Sequence, residues 1–313
     1  MLSRRSVRVK VMQFLYSLDR DETLTTKEVV KAYTDNIDDS YELFLFSIYV
    51  LYRITERSLE DTKKRKAKHL PNDYDKSFKA KLFTNPLIQD IHENKVLQKK
   101  FETLKFESKV NEDYIQKIYD AFSKEAAYKE FIASEETNET TLELLLEFFR
   151  FNRQNDFFNE IMEDNYFNWV DDKSLIVGSV KKYLKALPSD NNASFKDFFP
   201  EDETVKEFGL NLLKKTIKGK KDIMGHIIPV LENWDSERLA VVDTILLQMA
   251  ICEFLDFPTI PGKVTMNEYV ELAKNYSTVK SKEFVNGVLD KLLNDMTEAG
   301  KIVKEGRGLE QDS

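Results

Sequence analysis

The chain has 313 residues, of which 42% are apolar, 12% aromatic and 33% charged, and its formal net charge is −8. This composition is too apolar for a disordered protein, nine glycines and seven prolines are too few for a turn-rich β protein, and a single cysteine excludes an internal disulfide framework. No apolar run reaches the roughly 18 residues of a membrane span, and no apolar signal segment follows the basic start. We therefore expect an all-α, cytoplasmic protein.

Apolar residues recur at helical spacing along most of the chain. Val7, Val11, Phe14 and Leu18 predict a first helix, and a second is predicted over 40–59. The later predicted helices fall on either side of a polar stretch at 189–194; they are 87–104, 110–134, 139–163 and 166–186 before it, and 203–218, 221–231, 235–256, 265–276 and 281–299 after it. The region of about residues 20–200 is too rich in aromatic residues for a linker, so we expect these residues to form an apolar core: Phe148, Phe149, Phe151, Phe157, Phe158, Tyr166, Phe167 and Trp169.

Motifs that would support catalysis are missing from the sequence. There is no glycine-rich phosphate loop and no dinucleotide fingerprint, and the three histidines lack the spacing of a zinc site. Cys252 lies within an apolar stretch, which favours a buried, inert thiol. We therefore predict no catalytic residue, no metal site and no cofactor.

The first predicted helix is basic, although the protein as a whole is acidic. Residues 1–18 carry Arg4, Arg5, Arg8 and Lys10 and no acidic residue. Arginine forks match phosphate oxygens, and a tyrosine such as Tyr16, on the same flank of the helix, can stack on an unpaired base. The same pattern is typical of a solvated basic face, so both interpretations stay open.

Four blocks in the same order resemble the NusB transcription antitermination family. Arg4-Arg-Ser-Val-Arg-Val-Lys-Val-Met-Gln-Phe-Leu-Tyr16 is similar to the family's R-R-x-x-R-x-x-x-[ML]-Q-x-L-Y. The others run from Asn233-Trp through Asp243 to Glu253, from Ile260-Pro-Gly-Lys-Val to Glu-Leu-Ala-Lys274, and over Lys282-Glu-Phe-Val-Asn-Gly-Val-Leu-Asp290. They resemble N-W-x-x-x-R-[LI]-x-x-x-D-x-x-L-L-x-x-A-x-x-E, P-x-K-V-x-[IM]-N-E-x-[VI]-E-L-A-K and K-F-V-N-G-[VI]-L-D, respectively.

The resemblance implies a non-enzymatic, two-bundle helical protein that binds boxA-type RNA of ribosomal RNA leader transcripts together with the ribosomal protein NusE. It also implies membership of the RNA polymerase antitermination complex and a role in small-subunit assembly. The residues that match RNA-associated positions are Arg4, Arg5, Arg8, Gln13, Tyr16, Tyr276, Lys280 and Phe284. Asp243 and Glu253 match the side that faces NusE.

The domain prediction follows from these blocks. Residues 1–19 form the first core helix, 20–200 a helical insertion with a candidate core helix near 40–60, 201–299 the C-terminal core, and 300–313 a flexible tail. Such an insertion is expected of Bacteroidetes-like members. Two alternatives are an RNA-binding accessory domain of the ribosomal RNA methyltransferase type, which lacks support because no methyltransferase motif is present, and a helical interaction scaffold that has lost RNA binding.

Three local expectations concern the predicted sites. Asp243 lies among apolar positions and needs a partner, either Arg238, a helix end or another protein. Thr265 and Glu268 have capping-box spacing, which predicts a helix start near Thr265. Arg5→Ala and Arg8→Ala are both expected to weaken RNA binding without changing the helical content.

Overall fold

A computed structural model describes residues 1–188, 194–231 and 240–309, and no β-strand occurs in these ranges. The all-α prediction is therefore confirmed. None of the described helices is both long enough and apolar enough to cross a membrane. Asn233–Leu239 of the second resembling block, including Arg238, and the predicted loop at 189–193 lie outside the described residues.

The described residues form fifteen α-helices. They are α1 (Arg4–Arg20), α2 (Thr26–Lys66), α3 (Asp73–Ser77), α4 (Lys81–Thr84), α5 (Pro86–Glu93), α6 (Lys95–Thr103), α7 (Glu112–Phe122), α8 (Ala126–Ala133), α9 (Asn138–Asn152), α10 (Asp156–Asn165), α11 (Trp169–Lys185), α12 (Asn211–Leu231), α13 (Val241–Asp256), α14 (Gly262–Tyr276) and α15 (Ser281–Glu298). Shorter 3₁₀ turns lie at Phe106–Lys109, Ser194–Phe198 and Gly306–Leu309, and Glu203–Leu210 forms a π-helical segment that continues into α12.

The chain divides into two compact units. Unit 1 comprises Met1 and Asp38–Phe199, and unit 2 comprises Leu2–Ile37 and Pro200–Ser313. The first turns of α2 therefore belong to unit 2, and the remainder of this helix belongs to unit 1. The predicted limits of the insertion, residues 20 and 200, stay a prediction, as does the tail from residue 300.

Unit 1 contains a core built around α2. Four consecutive side chains of this helix, Leu43 to Phe46, are fully buried, so this part of α2 is enclosed within the apolar core of the unit. Most of the aromatic residues predicted as core are buried or packed against this core. Phe167 is the exception: its side chain is 83% exposed, and the prediction was wrong for this residue because it precedes α11 on the solvent side.

Unit 2 is organised around α13, which packs against α1, α12, α14 and α15. Every residue from Ile245 to Phe254 on α13 is buried, which agrees with its nearly unbroken apolar sequence. The π-helical segment brings Gly209 against Val7 of α1 and Tyr33 of α2, where a Cβ atom would overlap both side chains. The glycine thus allows three helical segments to approach closely.

Candidate nucleic-acid interface

Helix α1 begins at a side-chain cap and buries one apolar face. Ser3 Oγ accepts a hydrogen bond from the backbone N–H of Ser6 at 3.2 Å, which sets the helix start immediately before Arg4. Val7, Val11 and Leu15 are buried on the inner face. Burial of these three residues turns the apolar face of α1 towards the interior of the unit.

Arg8 lies inside the unit and is only 3% exposed. Its Nε and Nη2 atoms donate to the two carboxylate oxygens of Glu253 at 3.0 and 2.5 Å. Glu253 is fully buried, and it also accepts hydrogen bonds from Thr265 Oγ1 at 2.9 Å and Tyr269 OH at 3.0 Å. The Phe208 ring covers the guanidinium at 4.9 Å. We call these five residues the buried cluster.

The buried cluster is electrostatically balanced. Burial by itself lowers the pKa of Arg8, but the hydrogen bonds and the charge of Glu253 outweigh burial and raise this pKa above its ordinary value. Burial, and then the neighbouring Glu253 charge, raises the pKa of Tyr269 far above its ordinary range, so its hydroxyl stays protonated and donates. A buried charge is tolerated when it is paired with an opposite charge and its remaining polar atoms are hydrogen-bonded, as in this cluster.

The capping-box prediction for α14 was wrong. This helix begins at Gly262, and the backbone N–H of Thr265 bonds to the Pro261 carbonyl at 3.0 Å. The Thr265 hydroxyl donates to Glu253, and the Glu268 carboxylate binds Arg5. Both side chains of the supposed box are thus used in tertiary contacts with α13 and α1.

Arg4 and Arg5 stand at the surface. Arg5 donates from Nε and Nη2 to Glu268 at 2.9 and 2.6 Å, yet 57% of its side chain is exposed. The hydrogen bond from Arg5, followed by the charge of Arg8, holds the pKa of Glu268 below its ordinary value. Arg4 pairs with Glu203 at 3.0 Å, and both of these side chains are largely solvated. These two guanidinium groups are therefore accessible to an anionic ligand.

The other end of α1 carries the predicted stacking residue. Tyr16 is 39% exposed, and the Arg20 guanidinium lies 5.4 Å from its ring centroid. Gln13 is half-buried between the two ends. Eleven residues of helix separate Arg5 from Tyr16 by about 16 Å, so they share a flank without forming one compact pocket. Arg20 was missed in the sequence analysis, and its signal was the i, i+4 spacing from Tyr16.

The turn between α14 and α15 carries the remaining predicted RNA residues. Tyr276 and Lys280 are exposed, and Phe284 is partly buried on the first turn of α15. Val279, which the sequence analysis did not single out, is almost fully exposed between them. This turn therefore presents aromatic, apolar and basic groups next to one another along the chain.

The two predicted partner-binding acids are both buried. Asp243 lies in the first turn of α13, and its Oδ2 accepts a hydrogen bond from Ser281 Oγ at 2.7 Å. Among the described residues its Oδ1 has no hydrogen-bond partner. Asp243 therefore has an internal partner in Ser281, the first residue of α15, and this agrees with the predicted helix end, although the sequence did not indicate which helix. Glu253, in contrast, is enclosed by Arg8, Thr265 and Tyr269. Direct contacts of Arg8 with RNA and of Glu253 with a partner stay predictions that this burial disfavours.

Comparisons with known proteins agree with the resemblance. The NusB family profile matches residues 174–294. The chain is 40% identical over 118 residues to the transcription antitermination protein NusB of Chloroherpeton thalassium. The aligned segment covers 36% of this chain and 56% of that protein. The chain is 40% identical over 109 residues to NusB of Salinibacter ruber and 44% identical over 101 residues to NusB of Methylacidiphilum infernorum, covering 68% and 71% of those proteins. No solved structure matches the chain significantly. The chain belongs to the NusB family.

Proposed function

We propose that this protein is a non-enzymatic transcription antitermination factor that binds boxA-type RNA of ribosomal RNA leader transcripts. In this proposal it acts together with NusE in the RNA polymerase antitermination complex and also assists small-subunit assembly. The observation that carries the proposal is the exposed flank of α1, where Arg5 and Arg4 lie at one end and Tyr16 at the other. Guanidinium groups and an exposed aromatic ring are the groups that hold phosphates and unpaired bases.

Arg5 and Arg4 must exchange carboxylate partners for phosphates in order to bind RNA. Exposed ion pairs of this kind contribute about 0–1 kcal/mol, so the exchange costs little. Arg8 is different, because its carboxylate partner is buried with it. We therefore propose that Arg4, Arg5 and Tyr16 contact RNA, with Tyr276, Lys280 and Phe284 as a second contact region, and that Arg8 positions α1.

The partner surface is proposed at the start of α13. Asp243 is the better supported of the two predicted acids, because one of its carboxylate oxygens has no hydrogen-bond partner among the described residues. Glu253 has three donors of its own within the buried cluster, and we propose that it supports the surface from inside.

The test is a salt titration of binding to a boxA-containing RNA, with and without NusE. Arg5→Ala should weaken binding and lower the salt slope by roughly 0.7–1. Tyr16→Ala should cost about 1–3 kcal/mol if its ring stacks on a base. Arg150→Ala is the matched control, since Arg150 makes a similarly exposed pair with Glu147 in unit 1. RNA affinity that is equal in Arg5→Ala, Arg150→Ala and the unmodified protein would remove the α1 mechanism.

One observation favours the second candidate, a helical scaffold without RNA binding. Each of the first three arginines is paired with a carboxylate of the chain itself. Glu268→Gln separates the two candidates, because it releases Arg5 from its partner. An RNA-binding protein should gain affinity from this change, whereas a scaffold should bind no RNA in either form.

A further inference from the structure

A second basic surface lies on α12. Five of the eight residues from 214 to 221 are exposed lysines: Lys214, Lys215, Lys218, Lys220 and Lys221. At 100° per residue, Lys214, Lys218 and Lys221 fall within about 60° of one another. The buried residues of α12, including Leu212 and Ile223, lie on the opposite side. We call Lys214, Lys218 and Lys221 the lysine stripe.

The lysine stripe differs from its two lysine neighbours in its pairing. Lys215 binds Asp256 at 2.9 Å, and Lys220 binds Asp19 at 3.3 Å. Within the described ranges, no carboxylate lies within ion-pair distance of any lysine of the stripe, even though Asp222 is one turn after Lys218. The stripe therefore presents three ammonium groups that the described part of the chain does not neutralise.

The dipole of α12 does not account for this charge. Lysines in the last turn of a helix stabilise its dipole, but the stripe lies in the first half of α12, more than two turns before Leu231. Like charges three or four residues apart cost a helix about 0.2–0.5 kcal/mol per pair. The stripe thus works slightly against the stability of α12 in a protein whose net charge is −8. Binding of a polyanion removes that repulsion.

We propose that the lysine stripe binds the sugar–phosphate backbone of RNA that extends beyond the segment held by α1. This proposal rests on the proposed function and adds a second contact region to it. Helices α1 and α12 pack against each other, and the Lys220–Asp19 ion pair lies where they approach. Asp19 is next in sequence to Arg20, whose guanidinium covers the Tyr16 ring. The stripe is therefore on a helix that borders the Tyr16 end of α1, and RNA that extends beyond this end has α12 as its neighbour.

The chemistry of the stripe fits RNA better than it fits an acidic protein. Lysine is depleted in protein–protein interfaces, whose centres need aromatic or large apolar groups. In the turns of α12 that carry the stripe, the apolar residue nearest to this face is the half-buried Ile217, and no aromatic residue occurs there. The next position on the face is the exposed Gly225, and the exposed Ile228 lies about two turns beyond Lys221. Phosphate contacts that carry no sequence information are, in contrast, commonly made by lysine.

The experiment compares two RNAs and two triple variants. One RNA is limited to the boxA segment, and the other carries the same segment with a uridine tail at either end. The test variant is Lys214→Gln/Lys218→Gln/Lys221→Gln. The control is Lys95→Gln/Lys99→Gln/Lys100→Gln, which removes the same charge from exposed positions of α6 in unit 1. Circular dichroism checks that both variants keep their helical content.

The unmodified protein and the control should bind one of the tailed RNAs more tightly than the short RNA. The test variant should lose this gain, and its salt slope for the tailed RNA should fall by about 2, since each single-strand phosphate contributes about 0.7. Its affinity for the short RNA should not change.

Equal binding of the tailed RNA by the test variant and the control would overturn the lysine-stripe proposal while leaving the proposed function intact. If the unmodified protein bound neither RNA, the proposed function would fail together with it. Polyglutamate serves as the protein-like probe: loss of polyglutamate binding alone, with RNA binding retained, would assign the stripe to an acidic protein and refute the RNA assignment.

Discussion

Replacing Arg8 with methionine tests the buried cluster directly. The change keeps most of the aliphatic volume but removes both guanidinium donors from Glu253, whose carboxylate is completely buried. Removing one partner of a buried ion pair typically destabilises a protein by about 3–5 kcal/mol, because the other charge is left without compensation. Thr265 and Tyr269 still donate to the carboxylate, so we expect a value near the lower end, about 3 kcal/mol.

Arg5→Met is the matched control for this change, because Arg5 lies one turn away and pairs with Glu268 at the surface. Its expected cost is about 0–1 kcal/mol. The double variant Arg8→Met/Glu253→Gln removes both charges, so it should be less destabilised than the sum of the single variants, with a coupling above about 1 kcal/mol. Urea unfolding followed by circular dichroism gives the free energies, and hydrogen exchange of α1 and α14 shows where the protein loosens.

An equal loss in the free energy of unfolding for Arg8→Met and Arg5→Met would refute this reasoning, because the buried Arg8–Glu253 pair would then stabilise the protein no more than the exposed Arg5–Glu268 pair. Strict additivity in the double variant would refute the pairing itself. Either result would also restore Arg8 as a candidate for direct RNA contact, which the present geometry disfavours.

Three further outcomes follow from particular residues. The Arg5 hydrogen bond holds the pKa of Glu268 below its ordinary value of 4.5. The pair therefore stabilises the fold above pH 4.5, and this stabilisation is lost as the pH falls through the lowered pKa. In urea unfolding at a series of acidic pH values, the free energy of unfolding should fall more steeply in the unmodified protein than in Glu268→Gln. Gly209→Ala should destabilise the protein by about 1–3 kcal/mol through overlap with Tyr33 and Val7, whereas Gly225→Ala, whose added Cβ meets no neighbour, should stabilise α12 by up to about 1 kcal/mol; urea unfolding measures both changes. Burial raises the pKa of Cys252 to about 12, so iodoacetamide should label this thiol only after unfolding; rapid labelling of the native protein would contradict its placement in α13.

The sequence predicted the helical class and most helices correctly because apolar periodicity reports local burial. The predicted helix ends were wrong where a single capping residue ends one helix and begins the next. The predicted helix 87–104 is divided at Asn94, whose side chain accepts from the Leu97 N–H and starts α6, and 139–163 is divided in the same way at Asn155. Conversely, the predicted break near 219 does not occur, since α12 continues through Gly219 to Leu231. A lone glycine or asparagine inside a periodic pattern fits either outcome.

The candidate site could be predicted only as a set of residue types. The sequence indicated that α1 is basic, but it could not distinguish Arg5 from Arg8, because the distinction depends on Glu253 and Glu268, more than 240 positions further along the chain. The helical wheel placed both arginines beside the apolar face. Arg8 turns inward because Glu253 on α13 binds its guanidinium and the Phe208 ring covers that guanidinium.

Arg8 and Arg5 have different roles, and together they explain how a protein with a negative net charge keeps a basic surface on α1. Arg8 joins α1 to α13 and α14 through Glu253, Thr265 and Tyr269, and these contacts fix the rotation of α1 about its axis. The Arg5 guanidinium is then held by Glu268 at the surface, with more than half of its side chain exposed. A phosphate that binds Arg5 must displace this carboxylate, and because the pair is exposed the displacement costs little. The two carboxylates therefore have different effects: Glu253 holds α1 in place from inside, whereas Glu268 lowers the local net charge until an anionic ligand takes its position.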